Sequence, residues 1–216
     1  MADPILVINP NSSEEVTEEI RLVAAAYRLP DGPRIECLTI AESPRTIATD
    51  DDVAAAGLAV TGLIESRPDA SAYVIACFSD PGWDTARTRT DAPVIGIQRA
   101  GVLAALGAAE NFGVIALSEH AIPRHLKRYD EIGVRARLAG EVGLGGVSAL
   151  DAGASDAVYR DTEAAGRRLV DKGAQSVVLG CAGFSPRRRQ LEADLGVPVI
   201  DPVKAGIAMA LGLVAL

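Results

Sequence analysis

Apolar and polar positions alternate along this chain in blocks of two lengths. Short apolar runs end at Asn, Pro, Gly or Ser clusters, and longer amphipathic stretches follow them, the pattern of strands feeding helices. Ile5–Ile8 predicts the first strand; it enters Asn9-Pro10-Asn11-Ser12-Ser13 and then a helix over Glu14–Ala26. Ser12 and Glu15 have capping-box spacing at that helix start. Arg34–Thr39 predicts a second strand, Ile40–Thr49 a loop with Pro44, and Asp50–Ser66 a helix capped by Thr49. A strand through Tyr73 ends at Cys77, a short helix follows Pro81-Gly82, and Val94–Ile97 predicts a fourth strand.

The same order begins again. Gly101–Leu106 predicts a helix, Phe112–Leu117 a strand, and Ser118-Glu119-His120-Ala121-Ile122-Pro123 the entry to a helix ending near Ile132. Arg135–Ala139 predicts a strand, the glycine-rich Glu141–Ala154 irregular chain, and Asp156–Lys172 a long amphipathic helix. A strand ending at Cys181, a helix after Pro186, a strand at Val197–Ile200 and a helix from Val203 complete the series. Strands alternating with helices call for α/β architecture with mostly parallel sheets flanked by helices.

The repetition reaches individual residues. Pro93–Gly107 (PVIGIQRAGVLAALG) and Pro198–Gly212 (PVIDPVKAGIAMALG) are identical at eight of fifteen positions, offset by 105, and the cysteines at 77 and 181 are offset by 104. A period near a hundred residues is too long for a solenoid unit of roughly 20–50. It fits two pseudo-symmetric lobes, each presenting a cysteine where a strand turns into a helix.

Bulk properties narrow the function. The 216 residues are 49% hydrophobic and 23% charged, with 21 basic and 29 acidic side chains and a net charge of −8. That balance argues against nucleic-acid binding. Arg187-Arg188-Arg189 is the one strong basic cluster; it reads as a solvated helix face or an anion site near Cys181. The start Met-Ala-Asp-Pro shows no signal peptide, and Ala205–Leu216 is too short for a bilayer span of about 20 residues. A cytoplasmic protein without membrane association is expected. Cys37, Cys77 and Cys181 make no disulfide or zinc spacing, and two histidines, His120 and His125, do not predict a metal site. Cys37, in mid-strand, reads as a small core residue. Gly143-Leu-Gly-Gly lacks the frame of a dinucleotide fingerprint, and no P-loop or nucleophile elbow is present.

A thiol just ahead of a helix meets the positive end of the macrodipole and free backbone N–H groups, so the sequence predicts lowered pKa values at Cys77 and Cys181. Such thiolates act as nucleophile or base. Two facing each other across a cleft would remove a proton from one side of a carbon and return one from the other. Backbone N–H groups at Asn11, Ser79 and Gly183 are candidates to stabilise the enolate. Plainer readings exist: buried strand-end thiols, ordinary turn chemistry at Asn9–Ser13, and a helix-entry turn at Ser118-Glu119-His120.

Ile-Asn-Pro-Asn-Ser at 8–12, Ile-Ala-Cys-Phe-Ser-Asp-Pro-Gly at 75–82, Pro-Val-Ile-Gly-Ile at 93–97 and Val-Leu-Gly-Cys-Ala-Gly at 178–183 together resemble the hydantoin racemases of the aspartate/glutamate racemase superfamily. The resemblance implies two α/β lobes with the active-site cleft between them, residues 1–97 with 202–216 and residues 98–201. It also implies cofactor-independent two-base chemistry on a small carboxylate or cyclic ureide, and a homo-oligomer. By it Cys77 and Cys181 are the acid/base pair and Asn11 lines the substrate site; Phe78, Ser79, Ser118, Ala182 and Gly183, in the loops after the strands, are further candidate substrate contacts, and no metal is expected. Two stretches depart from the family pattern: Ile115-Ala-Leu-Ser118 keeps one hydroxyl where two are usual, and Thr49-Asp-Asp-Asp replaces a His-Tyr-Asp-Glu-like segment. The substrate stays open among hydantoin, allantoin, aspartate and glutamate. Alternatives are a cis-trans isomerase or decarboxylase of a small dicarboxylate using one cysteine, a cysteine hydrolase, and a non-catalytic two-lobe binder of a small anion.

Overall fold

The computed structural model describes residues 3–216. They divide into two compact units, residues 3–100 with Val203–Leu216, and Gly101–Pro202. The first unit holds strands β1 (Ile5–Asn9), β2 (Ile35–Thr39), β3 (Ala72–Ile75) and β4 (Val94–Gly96) in one parallel sheet of order β2-β1-β3-β4. The second holds β5 (Phe112–Ala116), β6 (Leu138–Gly143), β7 (Ser176–Gly180) and β8 (Val199–Ile200) in a parallel sheet of order β6-β5-β7-β8. Strand for strand, the order is the same.

Burial matches the order at one edge of each sheet. Every residue of β1, β3, β5 and β7 is buried, as suits inner strands covered on both faces, whereas every residue of β2 and β6 is half-buried at a sheet edge. The first core gathers Leu6, Ile8, Val60, Ile64, Tyr73, Ile75 and Trp83. The second gathers Ile115, Tyr159, Leu169, Val177, Leu179, Phe184 and Val199. Each such side chain contributes about 1.5–3 kcal/mol on burial.

Between strands lie α1 (Glu14–Ala25), α2 (Asp50–Ser66), α3 (Trp83–Ala86) and α4 (Ile97–Ala108). Then come α5 (Ile122–Glu131), α6 (Ala149–Ala154), α7 (Asp156–Asp171), α8 (Arg188–Leu195) and α9 (Pro202–Ala215). Thr49 caps α2 in a full capping box with Asp52. Among the described residues no helix is long and apolar enough to cross a membrane.

Several expectations need correction. The cap of α1 is Ser13, not Ser12: its Oγ accepts from Val16 N at 3.4 Å and donates to Glu15 at 2.7 Å. Ile97 starts α4 rather than ending β4, so that helix begins four residues before Gly101. Arg135–Arg137 is a 3-10 turn, and the strand expected there starts at Leu138. It runs through Glu141 to Gly143, and α6 follows, so Glu141–Ala154 is not irregular throughout. Glu141 interrupts the apolar pattern because it is a buried acceptor: His125 Nδ1 lies 2.6 Å from one carboxylate oxygen and Tyr129 Oη donates to the other at 3.1 Å. In the arginine run Arg189 is exposed, while its two neighbours are held by partners. Arg187 pairs with Asp156 at 2.6 Å and donates to the carbonyls of Gly153 and Ala154, and Arg188 pairs with Glu192 at 2.7 Å.

Candidate active site

In parallel α/β sheets, ligands bind at the carboxyl ends of the strands. In the first unit, β1 and β3 run side by side with Ile8 opposite Ile75, so the loops after them emerge together. Ala76 N donates to Ile8 O at 2.8 Å and carries the pairing one residue further, to the threshold of Cys77.

The loop after β1 is built around Asn9, which is 1% exposed. Its Nδ2 donates to Asn11 Oδ1 at 2.9 Å, Ser13 O at 3.0 Å and Thr17 Oγ1 at 3.0 Å. Ser13 N also donates to Asn11 Oδ1, at 2.9 Å. Two donors on that oxygen fix the amide plane of Asn11, which is half-buried at the strand end.

After β3 the chain turns sharply. Asp80 N donates to Cys77 O at 2.9 Å, closing a turn over Phe78 and Ser79, and Trp83 N donates to Asp80 O at 3.2 Å. Cys77 and Ser79 are half-buried; Phe78 is buried. Asp80 has φ +44°, the one non-glycine residue with positive φ among the described residues, and its side chain reaches the first turn of α4. Its carboxylate accepts from Gln98 N at 2.9 Å and Arg99 N at 3.2 Å. Gly82, at φ +75°, packs on α2: a methyl there would lie 2.5 Å from Gly57 O. Trp83 donates from Nε1 to Val94 O at 2.9 Å, with the guanidinium groups of Arg87 and Arg99 over its ring.

The second unit repeats the plan. Ala116 of β5 is opposite Gly180 of β7, so Ser118 and Cys181 follow adjacent strand ends. Ser118 stands two residues beyond β5, as Asn11 stands two beyond β1. Its Oγ accepts from His120 N at 3.2 Å, and its backbone bridges to Gly145. His120 and Glu119 are exposed. Cys181 caps a 3-10 segment, Ala182–Arg187, and Phe184 N donates to Cys181 O at 3.4 Å, the counterpart of the Asp80–Cys77 bond. Ala182 and Gly183 are buried. Gly183 can only be glycine, since a methyl there would lie 1.8 Å from Ala149 O of α6.

The electrostatics of Cys181 run against the sequence expectation. Gly183 N donates to its sulfur at 3.4 Å, which favours the thiolate, yet burial outweighs this and pushes the thiol up to about 11. The element that follows it directly is a 3-10 segment, and the α-helix expected after Pro186 begins only at Arg188. At neutral pH Cys181 holds its proton. Cys37, in β2, is pushed up to about 11 by burial as well. Among the described residues no group of three His, Cys, Asp or Glu side chains is placed to hold a metal ion.

Sequence reasoning passed over Asp80 and Gly96. The signal lay in the repeat, where Gly96 aligns with Asp201: one copy has a carboxylate where the other has none. The gap is needed, because a methyl at Gly96 would lie 2.2 Å from the Asp80 carboxylate.

Comparison with known proteins covers nearly the whole chain. Residues 5–210 match the family model described as Asp/Glu/Hydantoin racemase. A hydantoin racemase of Paenarthrobacter aurescens is 37% identical over 98% of this chain and 91% of its own. One from Pseudomonas sp. (strain NS671) is 32% identical over 95% of this chain and 84% of its own. Among solved structures, allantoin racemase from Klebsiella pneumoniae superposes with a TM-score of 0.90 at 30% identity, covering 98% of this chain and 87% of that one.

Proposed function

The chain belongs to the Asp/Glu/hydantoin racemase family and is a racemase; from that premise we propose that it inverts the 5-carbon of a 5-substituted hydantoin or a related cyclic ureide such as allantoin, with Cys77 and Cys181 as acid and base and no cofactor. The observation that carries this reading is the equivalence of the two thiol turns. Each follows the third strand of its unit, each closes with a backbone bond from the third residue after the cysteine, and in each unit the neighbouring inner strand is followed two positions on by a polar residue, Asn11 or Ser118.

The step balances with these groups alone. One sulfur, as thiolate, takes the proton from the carbon between the ring nitrogen and carbonyl, and the C–H electron pair moves into the carbonyl as an enolate. The other sulfur, as thiol, delivers its proton to the opposite face of that carbon, its S–H bond breaking as the new C–H bond forms. The enzyme is then regenerated with the thiol and thiolate exchanged. A proton held on Cys181 at neutral pH supports its service as acid in one direction. Once ionised, a thiolate of such high pKa is also a strong base, which suits a weakly acidic carbon. Asn11, Ser79 and Ser118 are uncharged, which suits a neutral ring better than a free carboxylate. The relatives named for hydantoin and allantoin point the same way. Asn11, Phe78, Ser79, Ser118, Ala182 and Gly183 remain the proposed substrate contacts, with the N–H of Ser79 offered to the enolate oxygen; that of Asn11 donates to Asn9 Oδ1 at 3.3 Å and that of Gly183 to the Cys181 sulfur at 3.4 Å.

Proton-to-deuterium exchange in heavy water, followed by NMR and polarimetry over hydantoins, allantoin, aspartate and glutamate, tests the proposal. The wild type is expected to exchange the ring hydrogen of a hydantoin or allantoin while losing optical activity. Cys77→Ala and Cys181→Ala should each lose racemisation by about 10²–10⁴-fold. Undiminished racemisation by either variant overturns the two-thiol mechanism, and turnover confined to aspartate or glutamate overturns the substrate class.

A further inference from the structure

We propose that Asp80 is a positioning residue for Cys77, a role that rests on the two-thiol reading above. Asp80 is 2% exposed, yet its carboxylate is not in the apolar core. It accepts from Gln98 N at 2.9 Å and Arg99 N at 3.2 Å, first-turn donors of α4 that have no acceptor within the helix. Its own N–H closes the turn on Cys77 O at 2.9 Å. The thiol turn is therefore held at both ends, to β1 through Ala76 N and Ile8 O, and to α4 through Asp80.

Two costs show that this carboxylate is placed for more than capping a helix. Asp80 adopts φ +44°, a region L-residues avoid, and Gly96 gives up its side chain to make room for the carboxylate. The second unit needs neither. There the third residue after Cys181 is the buried Phe184, and a carboxylate, Asp201, sits directly ahead of α9 at the position aligned with Gly96. Asp201 stands in line with its helix, where the backbone needs no positive φ. Moving the carboxylate onto the turn of Cys77 ties that turn to the helix.

The test separates capping from positioning by moving the carboxylate back. Asp80→Gly removes it and relieves the backbone; Asp80→Gly with Gly96→Asp restores a carboxylate in the arrangement of the second unit. Melting temperature, racemisation, and the iodoacetamide alkylation rates of Cys77 and Cys181 by peptide mass spectrometry are measured on each. Asp80→Gly is expected to lower the melting temperature, cut racemisation by about 10²-fold, and change the Cys77 rate while leaving that of Cys181 in place. The double variant should recover the melting temperature but neither racemisation nor the wild-type Cys77 rate. Recovery of all three, or an unchanged Cys77 rate in Asp80→Gly, makes Asp80 a helix cap and overturns the proposal. If the double variant does not fold, Asp80→Asn, which keeps the shape and one acceptor oxygen, takes its place: a changed Cys77 rate supports positioning and an unchanged one overturns it. Alkylation needs no turnover, so it judges the role of Asp80 even if Cys77→Ala racemises at full rate and the two-thiol reading falls.

Discussion

The two units share a sheet plan, but they brace their thiol turns with different helices. In the first, the seventeen-residue α2 approaches through a glycine pair, Gly57 against Gly82, where a methyl on either would meet backbone within 2.9 Å. In the second, the six-residue α6 does the bracing: Ala149 O lies 1.8 Å from where a Gly183 methyl would stand, and a Gly153 methyl would be 2.7 Å from Gly183 O. The shared requirement is a helix backbone in contact with the turn, and glycine is what permits that contact in both places. Length, sequence and chain position of the helix were free to change.

The sharpest way to break this comparison is to add one methyl to each turn. Gly183→Ala must drive α6 away and is expected to cost about 3 kcal/mol. Gly82→Ala meets Gly57 as well as the left-handed penalty of about 1–2 kcal/mol. Urea unfolding of both variants checks this, and a free substitution at either glycine would show that the helix is not a brace. The buried polar networks offer a second contrast. Glu141→Gln weakens the acceptor that serves both His125 and Tyr129, at a cost of about 2 kcal/mol. Asn9→Ala, which removes a neutral amide from the first unit, should cost about 1 kcal/mol in the same assay.

The last contrast appears only at alkaline pH. With Cys37 and Cys77 replaced by alanine, ultraviolet absorbance should show the Cys181 thiolate appearing with a midpoint of about 11. The folded pKa lies above the unfolded value of about 8.5, so the folded state keeps its proton longer. The Cys181 contribution to stability is therefore fully present below about 8.5 and is lost as pH rises toward about 11. A midpoint near 8.5 would mean that the Gly183 N–H offsets burial.

Much of the fold is legible in the sequence because inner parallel strands are unbroken apolar runs and their helices carry explicit caps. Ile5–Ile8 and the Thr49-x-x-Asp52 box are examples. What stays hidden lies where a residue answers a distant neighbour. β6 is masked by Glu141, buried to meet His125 and Tyr129, and by Gly143, where a methyl would lie 2.4 Å from Glu119 N. α6 is masked by Gly153, small because of Gly183. The places of both cysteines at strand ends can be read from the repeat. The high pKa of Cys181 cannot, because burial of a sulfur depends on packing from elements far along the chain.

The division of the chain has a consequence for the order in which the protein is completed. Residues Gly101–Pro202 form one unit from a single uninterrupted segment, while the other needs α9, whose Gly206 packs against Val74 and Ile97. Until α9 is made, the first sheet lacks the cover that Gly206 and the buried Ile207 and Ala210 give it. The half that is made first is thus the half that is finished last, and a nascent chain arrested before α9 would carry a complete second unit beside an open first one.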